Sequence, residues 1–122
     1  MGRLTTHVLD TANGRPAAGV RVRVYAIGDG DGDSGARRLL REGVTNGDGR
    51  CDAPLVEGEE FKAGRYEIVF GAGAYFAALG TSLAQPAFVG DVVLRFGIAD
   101  AAQHYHVPLL VSPWSWSTYR GS

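Results

Sequence analysis

The feature of this chain that most restricts its fold is a seven-residue run in which apolar and polar side chains alternate. The run reads VRVRVYA and occupies residues 20–26. Successive side chains of an extended strand point to opposite faces, so the valines and Ala26 share one face while the arginines and Tyr25 share the other. This pattern predicts a strand with one face in the core and one face toward solvent.

Other short segments have the composition of strands and are separated by turn residues. Asn13-Gly14 follows the first of them, and Ser112-Pro113 separates the last two. The alanine-rich segment 71–80 is the one place where we expect a helix, a short one of about two turns. The sequence therefore predicts an all-β, antiparallel β-sandwich of seven to eight strands with one short helix. The predicted strands lie at residues 4–10, 20–26, 39–45, 64–70, 92–98, 104–111 and 115–120.

Length and charge narrow the classes of partner. A chain of 122 residues is most simply one domain, residues 1–122, with room for a single hydrophobic core. The formal net charge is −1 and no block of like charges occurs, so we expect a small molecule or another protein as partner, with no nucleic acid and no membrane. The single cysteine and the lack of an apolar secretion signal favour a cytoplasmic location.

Two candidate sites have simpler explanations. Residues 28–35 read GDGDGDSG and place three aspartates at alternate positions, as a calcium loop does. The glycine of the sharp turn falls one place late, and Leu40 stands where a bidentate glutamate should close the site, so a solvated hairpin tip is favoured. Cys51 could be a nucleophile beside a histidine, but a lone cysteine is more often a small buried hydrophobe.

Two histidines lie two residues apart in the second-last predicted strand. His104 and His106 therefore point to the same face, and Tyr105 with the residues that alternate with it forms the core face. By the same alternation His7 points outward if Val8 points into the core. The three histidines could chelate zinc, as three-histidine hydrolytic sites do. Two outward histidines are, however, more often ordinary surface residues.

Alternation along the last predicted strand brings further polar groups to the histidine side. If Trp114 and Trp116 pack inward, Tyr119 joins His7 and His106 on one outer face. Leucine and proline side chains lie on this face as well, and apolar surface of this kind is usually covered. We therefore expect the face to meet another copy of the chain, with the histidines lining a cleft between subunits.

Three segments resemble the signatures of a known family. They read LTTHVLDTANGRPAAGVRVRVY near the start of the chain, TNGDGRC in the middle and HYHVPLLVSPWSWSTYRGS at the end. In sequence and in order they are similar to the 5-hydroxyisourate hydrolases, the transthyretin-related enzymes of urate breakdown. The terminal Tyr-Arg-Gly-Ser is the most specific part, because the hormone-carrying transthyretins that share the fold lack it.

The resemblance implies a transthyretin-like sandwich assembled as a homotetramer, a dimer of dimers with a channel between the dimers. The implied reaction adds water to the lactam carbonyl of 5-hydroxyisourate and opens the six-membered ring to 2-oxo-4-hydroxy-4-carboxy-5-ureidoimidazoline. No metal and no cofactor is implied. The implied catalytic residues are His7, Arg50 and His106, and the implied substrate-binding residues are His7, Arg50, Tyr119, Arg120, Gly121 and Ser122.

In such a reaction the two histidines would transfer protons and Arg50 would stabilise the oxyanion. The residues alone do not tell which histidine is the base.

Three alternatives stay open: a zinc hydrolase built on the three histidines, a transthyretin-type carrier that binds hormone-like ligands in the inter-dimer channel, and a structural sandwich with no small-molecule site. A bulky Tyr119 on the channel-facing strand disfavours the carrier.

Overall fold

The computed structural model describes residues 2–28 and 36–121. Of the calcium-like segment, residues 29–35 lie outside these described residues, and so does Ser122. Within the described part the chain forms eleven short strands, one α-helix and one 3₁₀ turn at Gly58–Glu60. The elements are β1 (Arg3–Thr5), β2 (Val8–Asp10), β3 (Arg15–Pro16), β4 (Arg21–Ile27), β5 (Arg37–Val44), β6 (Val56–Glu57), β7 (Gly64–Phe70), α1 (Ala72–Ala78), β8 (Val92–Ile98), β9 (Tyr105–His106), β10 (Leu109–Val111) and β11 (Trp116–Thr118).

One layer of the sandwich is a four-stranded antiparallel sheet in the order β5-β4-β7-β8. Val22 and Val24 of β4 lie directly opposite Phe70 and Ile68 of β7, and all four side chains are fully buried. The arginines of β4 lie on the opposite, more exposed face. The half-buried strand that the alternation of residues 20–26 predicts is therefore confirmed.

The other layer contains two parallel pairings, because β1 runs parallel to β9 and β2 runs parallel to β10. The predicted strands near the two ends of the chain are each interrupted by two residues. Backbone hydrogen bonds of 2.9 Å from Val107 to the carbonyl of Thr5, and from Leu109 to the carbonyl of His7, carry the pairing across the interruption. The predicted antiparallel β-sandwich with one short helix is confirmed, and it is antiparallel apart from these two pairings.

Burial alternates along residues 4–10 and along residues 105–111, the two segments that pair in parallel. From Leu4 to Asp10 every second residue is buried, while His7 between them is half-buried. From Tyr105 to Val111 the odd-numbered residues are buried and His106 is half-buried. Both histidines thus lie on the face away from the core, as the alternation predicts.

The short helix lies where the sequence predicts it. α1 buries Ala72, Tyr75 and Phe76, and the Tyr75 hydroxyl donates a buried 2.7 Å hydrogen bond to the carboxylate of Asp10 on β2. The Asp10 carboxylate also accepts bonds from the Ala12 and Asn13 amides and the Asn13 side chain. This network joins the helix to β2. None of the helices in the described part of the chain is long and apolar enough to span a membrane.

The prediction that the two tryptophans pack inward is wrong. Trp114 and Trp116 are 61% and 43% exposed. Trp116 lies opposite the buried Val111, so it does occupy the core-facing side of its strand. However, β11 is the edge strand of its sheet, and the side chain lines an open groove beside β8 instead of a packed interior. Alternation fixes which side a residue occupies, whereas burial depends on what lies opposite that side.

Candidate active site

The parallel pairing of β1 and β9 brings residues from the two ends of the chain together. Thr5 lies directly opposite His106. By alternation, Thr5 and His7 on one strand and His104 and His106 on the other project from the same face of the sheet. All four side chains are half-buried, so they can meet a ligand from outside while their positions are fixed by the sheet.

The Thr5 hydroxyl links two of the histidines. Its Oγ1 atom lies 2.9 Å from Nε2 of His104 and 2.8 Å from Nδ1 of His106, and the two imidazole centroids are 6.5 Å apart. Thr5 was not singled out from the sequence. Its position two residues before His7, on the same face of a predicted strand, is the signal that could have found it.

Arg50 reaches the histidines from a tight loop. Asn46 shapes this loop through its side chain and its backbone. The side-chain oxygen accepts hydrogen bonds from the backbone amides of Asp48 and Arg50. The backbone amide of Asn46 donates a 2.7 Å bond to the Arg50 carbonyl. The loop is held against β2 by a 2.8 Å hydrogen bond from the Val8 amide to the Gly49 carbonyl. Arg50 thereby stands beside the strand that follows His7.

A groove of about 510 Å³ is bordered by Thr5, Arg50, His104 and His106. Besides the residues already described, its walls include a second cation, Arg3, and the half-buried thiol of Cys51. The groove combines positive charge with imidazole groups, which suits a polar, carbonyl-rich small molecule. Its lining residues are Arg3, Thr5, Thr6, Arg50, Cys51, Asp52, Ala53, Pro54, His104 and His106.

The surroundings of His106 favour its neutral form. Burial lowers the pKa of His106 below the ordinary value of 6.5, and the positive charge of Arg50 lowers it further, with additional effects from His104 and His7. His7 is therefore close enough to be part of the same electrostatic cluster, although it does not line the groove. A neutral imidazole at neutral pH can accept a proton from water.

The end of the described chain folds back along β9. The Gly121 amide donates a 2.6 Å hydrogen bond to the His106 carbonyl, and the His106 amide donates a 3.3 Å bond back to Gly121. A Cβ atom at Gly121 would lie 3.3 Å from three atoms of His106, a tight approach. The Arg120 guanidinium stacks on the Tyr105 ring at 4.2 Å and donates to the Gln103 side chain.

Tyr119 lies apart from the histidines within one chain. It is 61% exposed, and it borders a second groove of about 460 Å³ together with Val93, Trp116 and Arg120. This second groove lies between the edge strands of the two layers, β8 and β11. The structure thus brings Arg50, His106 and Gly121 together, whereas Tyr119 faces a different surface.

The surroundings of Cys51 favour the neutral thiol over the reactive thiolate. Burial raises the pKa of the Cys51 thiol and the Asp52 carboxylate raises it further, against an opposite effect from Arg41. The thiolate is the reactive form, so these surroundings oppose the nucleophile hypothesis.

The three histidines do not form a metal-binding arrangement. Among residues 2–28 and 36–121, no group of three or more His, Cys, Asp or Glu side chains could hold a metal ion. Two of the rings are instead directed at the Thr5 hydroxyl that lies between them.

The sequence matches a family model and close relatives. Residues 4–121 match the model of the HIUase/Transthyretin family. A relative from Rhizobium meliloti, named 5-hydroxyisourate hydrolase 2, is 60% identical over 121 residues, which cover 99% of this chain and 97% of that protein.

Solved structures share the fold over nearly the whole chain. The match to (S)-allantoin synthase has a TM-score of 0.90 at 47% identity and covers 99% of this chain but 44% of that longer one. Klebsiella pneumoniae 5-hydroxyisourate hydrolase matches with a TM-score of 0.79 at 35% identity, covering 100% of both chains. Sea bream transthyretin in complex with thyroxine matches with a TM-score of 0.82 at 27% identity, covering 98% and 94%.

Proposed function

This chain belongs to the HIUase/Transthyretin family, and on that basis we propose that it hydrolyses 5-hydroxyisourate to 2-oxo-4-hydroxy-4-carboxy-5-ureidoimidazoline in urate breakdown. The observation that carries the proposal is the groove in which Arg50 lies within electrostatic reach of a neutral His106. The relatives named 5-hydroxyisourate hydrolase cover nearly the full chain. The reaction draws on side chains alone and needs no metal and no cofactor.

Ring opening requires a base for water, a donor for the oxyanion and an acid for the departing nitrogen. His106 and His7 are the proposed proton-transfer pair, since imidazole titrates near neutral pH. The attacking water loses a proton to imidazole as its oxygen bonds to the lactam carbon. The carbon–nitrogen bond then breaks, the nitrogen takes a proton, and a carboxylate forms. Arg50 offers a planar fork of donors to the oxyanion and to the new carboxylate.

The substrate-binding roles of Tyr119, Arg120, Gly121 and Ser122 remain part of the proposal. Gly121 supports it by its direct backbone pairing with His106. Tyr119 borders the second groove, so on our proposal it meets substrate only where copies of the chain adjoin. Two of the solved structures that this chain matches are transthyretins, and we expect the homotetramer, a dimer of dimers, that the sequence resemblance implies.

The exposed edges of the sandwich support association with a second copy. The second groove lies between edge strands and has a mainly apolar lining that includes Val93 and Trp116, which are 48% and 43% exposed. Unpaired edge strands flanked by apolar side chains are the usual starting point for strand-to-strand association. Size-exclusion chromatography with light scattering tests this part of the proposal directly.

A transthyretin-type carrier is the second candidate. The similarity to a transthyretin solved with thyroxine favours it, and an iodinated thyronine is the probe that tests it. On our proposal such a ligand neither binds tightly nor changes the rate of hydrolysis.

The decisive experiment follows the ultraviolet decay of freshly made 5-hydroxyisourate, produced by urate oxidase, with and without this protein. We expect the decay to accelerate in proportion to protein concentration. A decay rate equal to the spontaneous one at micromolar protein would refute the hydrolase proposal.

A further inference from the structure

Thr5 occupies an unusual position between two imidazole nitrogens. Its hydroxyl has a single proton and lies 2.9 Å and 2.8 Å from the two ring nitrogens, so it can donate to one ring while it accepts from the other. The strand pairing holds it there, because Thr5 is in register with His106 and its carbonyl accepts the Val107 amide at 2.9 Å. The protonation states of the two rings are therefore coupled through one side chain.

Two arrangements satisfy this coupling when both rings are neutral. In the first, Nδ1–H of His106 donates to Thr5 and the hydroxyl donates to Nε2 of His104, which leaves Nε2 of His106 as a free proton acceptor. In the second, Nε2–H of His104 donates to Thr5 and the hydroxyl donates to Nδ1 of His106, which leaves Nε2 of His106 protonated. The first arrangement is the base form of His106 and the second is its acid form.

We propose that Thr5 and His104 form a proton relay that converts His106 between its base and acid forms during the reaction. This inference rests on the proposed hydrolase function. Thr5 and His104 are positioning residues, since they act on the substrate only through His106.

The relay conserves protons at each step. Nε2 of His106 takes a proton from the attacking water while its Nδ1 proton passes to Thr5 Oγ1, and the Thr5 proton passes to Nε2 of His104. His104 then carries the positive charge and His106 is a neutral Nε2–H acid. When that Nε2 proton goes to the departing nitrogen, either directly or by way of His7, the other member of the proposed proton-transfer pair, the two transfers run backward, and His104 returns to neutrality.

The charges around His106 explain why such a relay is useful. His106 faces Arg50 from the loop, His7 and Thr5 from the first strand, His104 from its own strand and the Gly121 backbone from the end of the described chain. Burial and the charge of Arg50 both disfavour a positive His106, and its pKa is lowered accordingly. A relay lets His106 accept a proton without holding the positive charge beside Arg50.

The test compares four variants of the full chain. Thr5→Val keeps the shape of the side chain but removes the hydroxyl, whereas Thr5→Ser keeps the hydroxyl. His104→Gln can hydrogen-bond but cannot carry a proton, and the fourth variant combines Thr5→Val with His104→Gln. We expect Thr5→Val to lower kcat by about 10- to 100-fold with KM nearly unchanged, as loss of an orienting partner does. Thr5→Ser should retain most activity. His104→Gln should lower kcat, and the double variant should be no slower than Thr5→Val alone.

A second measurement does not depend on turnover. Nitrogen-15 chemical shifts of His106 in the unliganded protein report its tautomer, and we expect Thr5→Val to change the tautomer ratio whereas Thr5→Ser preserves it. Melting temperatures identify any variant that fails to fold. The relay is overturned if folded Thr5→Val keeps the parental kcat and His106 tautomer, or if Thr5→Ser is as slow as Thr5→Val. If the protein lacks hydrolase activity, the nitrogen shifts still decide whether Thr5 sets the tautomer.

Discussion

The Val8 amide donates a 2.8 Å hydrogen bond to the Gly49 carbonyl, and this contact holds the loop that carries Arg50 against the strand that follows His7. The contact depends on glycine. Gly49 has a φ of +75°, and a Cβ atom there would lie 2.4 Å from the Val8 carbonyl oxygen. The placement of Arg50 in the groove is therefore controlled by a backbone position one residue before it.

Gly49→Ala should displace the loop and lower both stability and activity. The strain of a left-handed backbone together with the clash should cost about 1–3 kcal/mol of unfolding free energy, and kcat/KM should fall because Arg50 moves. Urea denaturation and the ultraviolet assay measure the two effects. Gly47→Ala in the same loop is the matched control, because a Cβ there meets nothing within 4 Å. Equal behaviour of the two variants would contradict the proposed role of the loop.

Arg50→Ala and His106→Ala should each lower kcat by about 100-fold or more, since each removes a preorganised donor or a proton shuttle. Arg50→Lys should recover only part of the rate, because an ammonium lacks the planar fork of donors. Circular dichroism checks that the variants fold. A parental rate in either alanine variant would remove that residue from the catalytic scheme.

The acid limit of activity should lie below pH 6.5. The pKa of His106 is lowered by burial and then by Arg50, His104 and His7, so its neutral form persists to lower pH than in a solvent-exposed histidine. Activity that needs neutral His106 is then lost only as pH falls through the lowered pKa. Proton NMR titration of His106 should show a higher pKa in Arg50→Ala than in the parent. An unchanged pKa in Arg50→Ala would show that the guanidinium does not act on this ring.

A buried carboxylate on β7 should make the protein sensitive to acid. Glu67 is 1% exposed and accepts hydrogen bonds of 2.7 Å from Arg95 and 2.5 Å from Arg37. Burial alone would raise the pKa of Glu67, but the hydrogen bonds and charges of Arg95 and Arg37 lower it below the ordinary 4.5. The stability it contributes is present above the unfolded pKa and is lost as pH falls through the lower, folded pKa.

Glu67→Gln should therefore lower the unfolding free energy at pH 7 by about 1–3 kcal/mol, a range that allows for the partial exposure of both arginines. The unfolding free energy of the variant should also fall less steeply below pH 4.5 than that of the parent. Some dependence of stability on pH should remain, because the pKa of Asp10 is lowered as well. Glu42→Gln, which breaks the exposed ion pair with Arg21, is the control and should have little effect. Thermal melts from pH 3 to pH 7 compare the variants.

Trp116→Arg should weaken association between copies of the chain. Trp116 is 43% exposed and lines the groove between the two edge strands, where a charged side chain would oppose burial by a second copy. Light scattering should show a smaller species than the parent forms. Leu39→Arg, at an apolar position that is 50% exposed on the other edge strand, β5, should leave the assembly intact.

Sequence reasoning located the faces of the strands better than the contacts between them. Alternation placed His7 and His106 on the outer face and Tyr105 in the core, because side-chain direction along a strand is a local property. It did not place Arg50, whose position depends on a loop that contacts a distant strand. It also missed Thr5, whose partners lie about a hundred residues away. Trp116 was assigned to the correct side but wrongly buried, since the edge of a sheet is not visible in a local pattern.

The pairing of β1 with β9 affects the order in which contacts form as the chain is synthesised and folds. Thr5 and His106 are separated by 101 positions, and contacts of such long range form late because loop-closure entropy must first be overcome. During synthesis β1 can pair with β6, but its parallel pairing with β9 cannot form until residues 105–106 have been made. The histidine cluster assembles only after nearly the entire chain has been translated, so a nascent fragment that ends before this strand lacks the proposed catalytic centre.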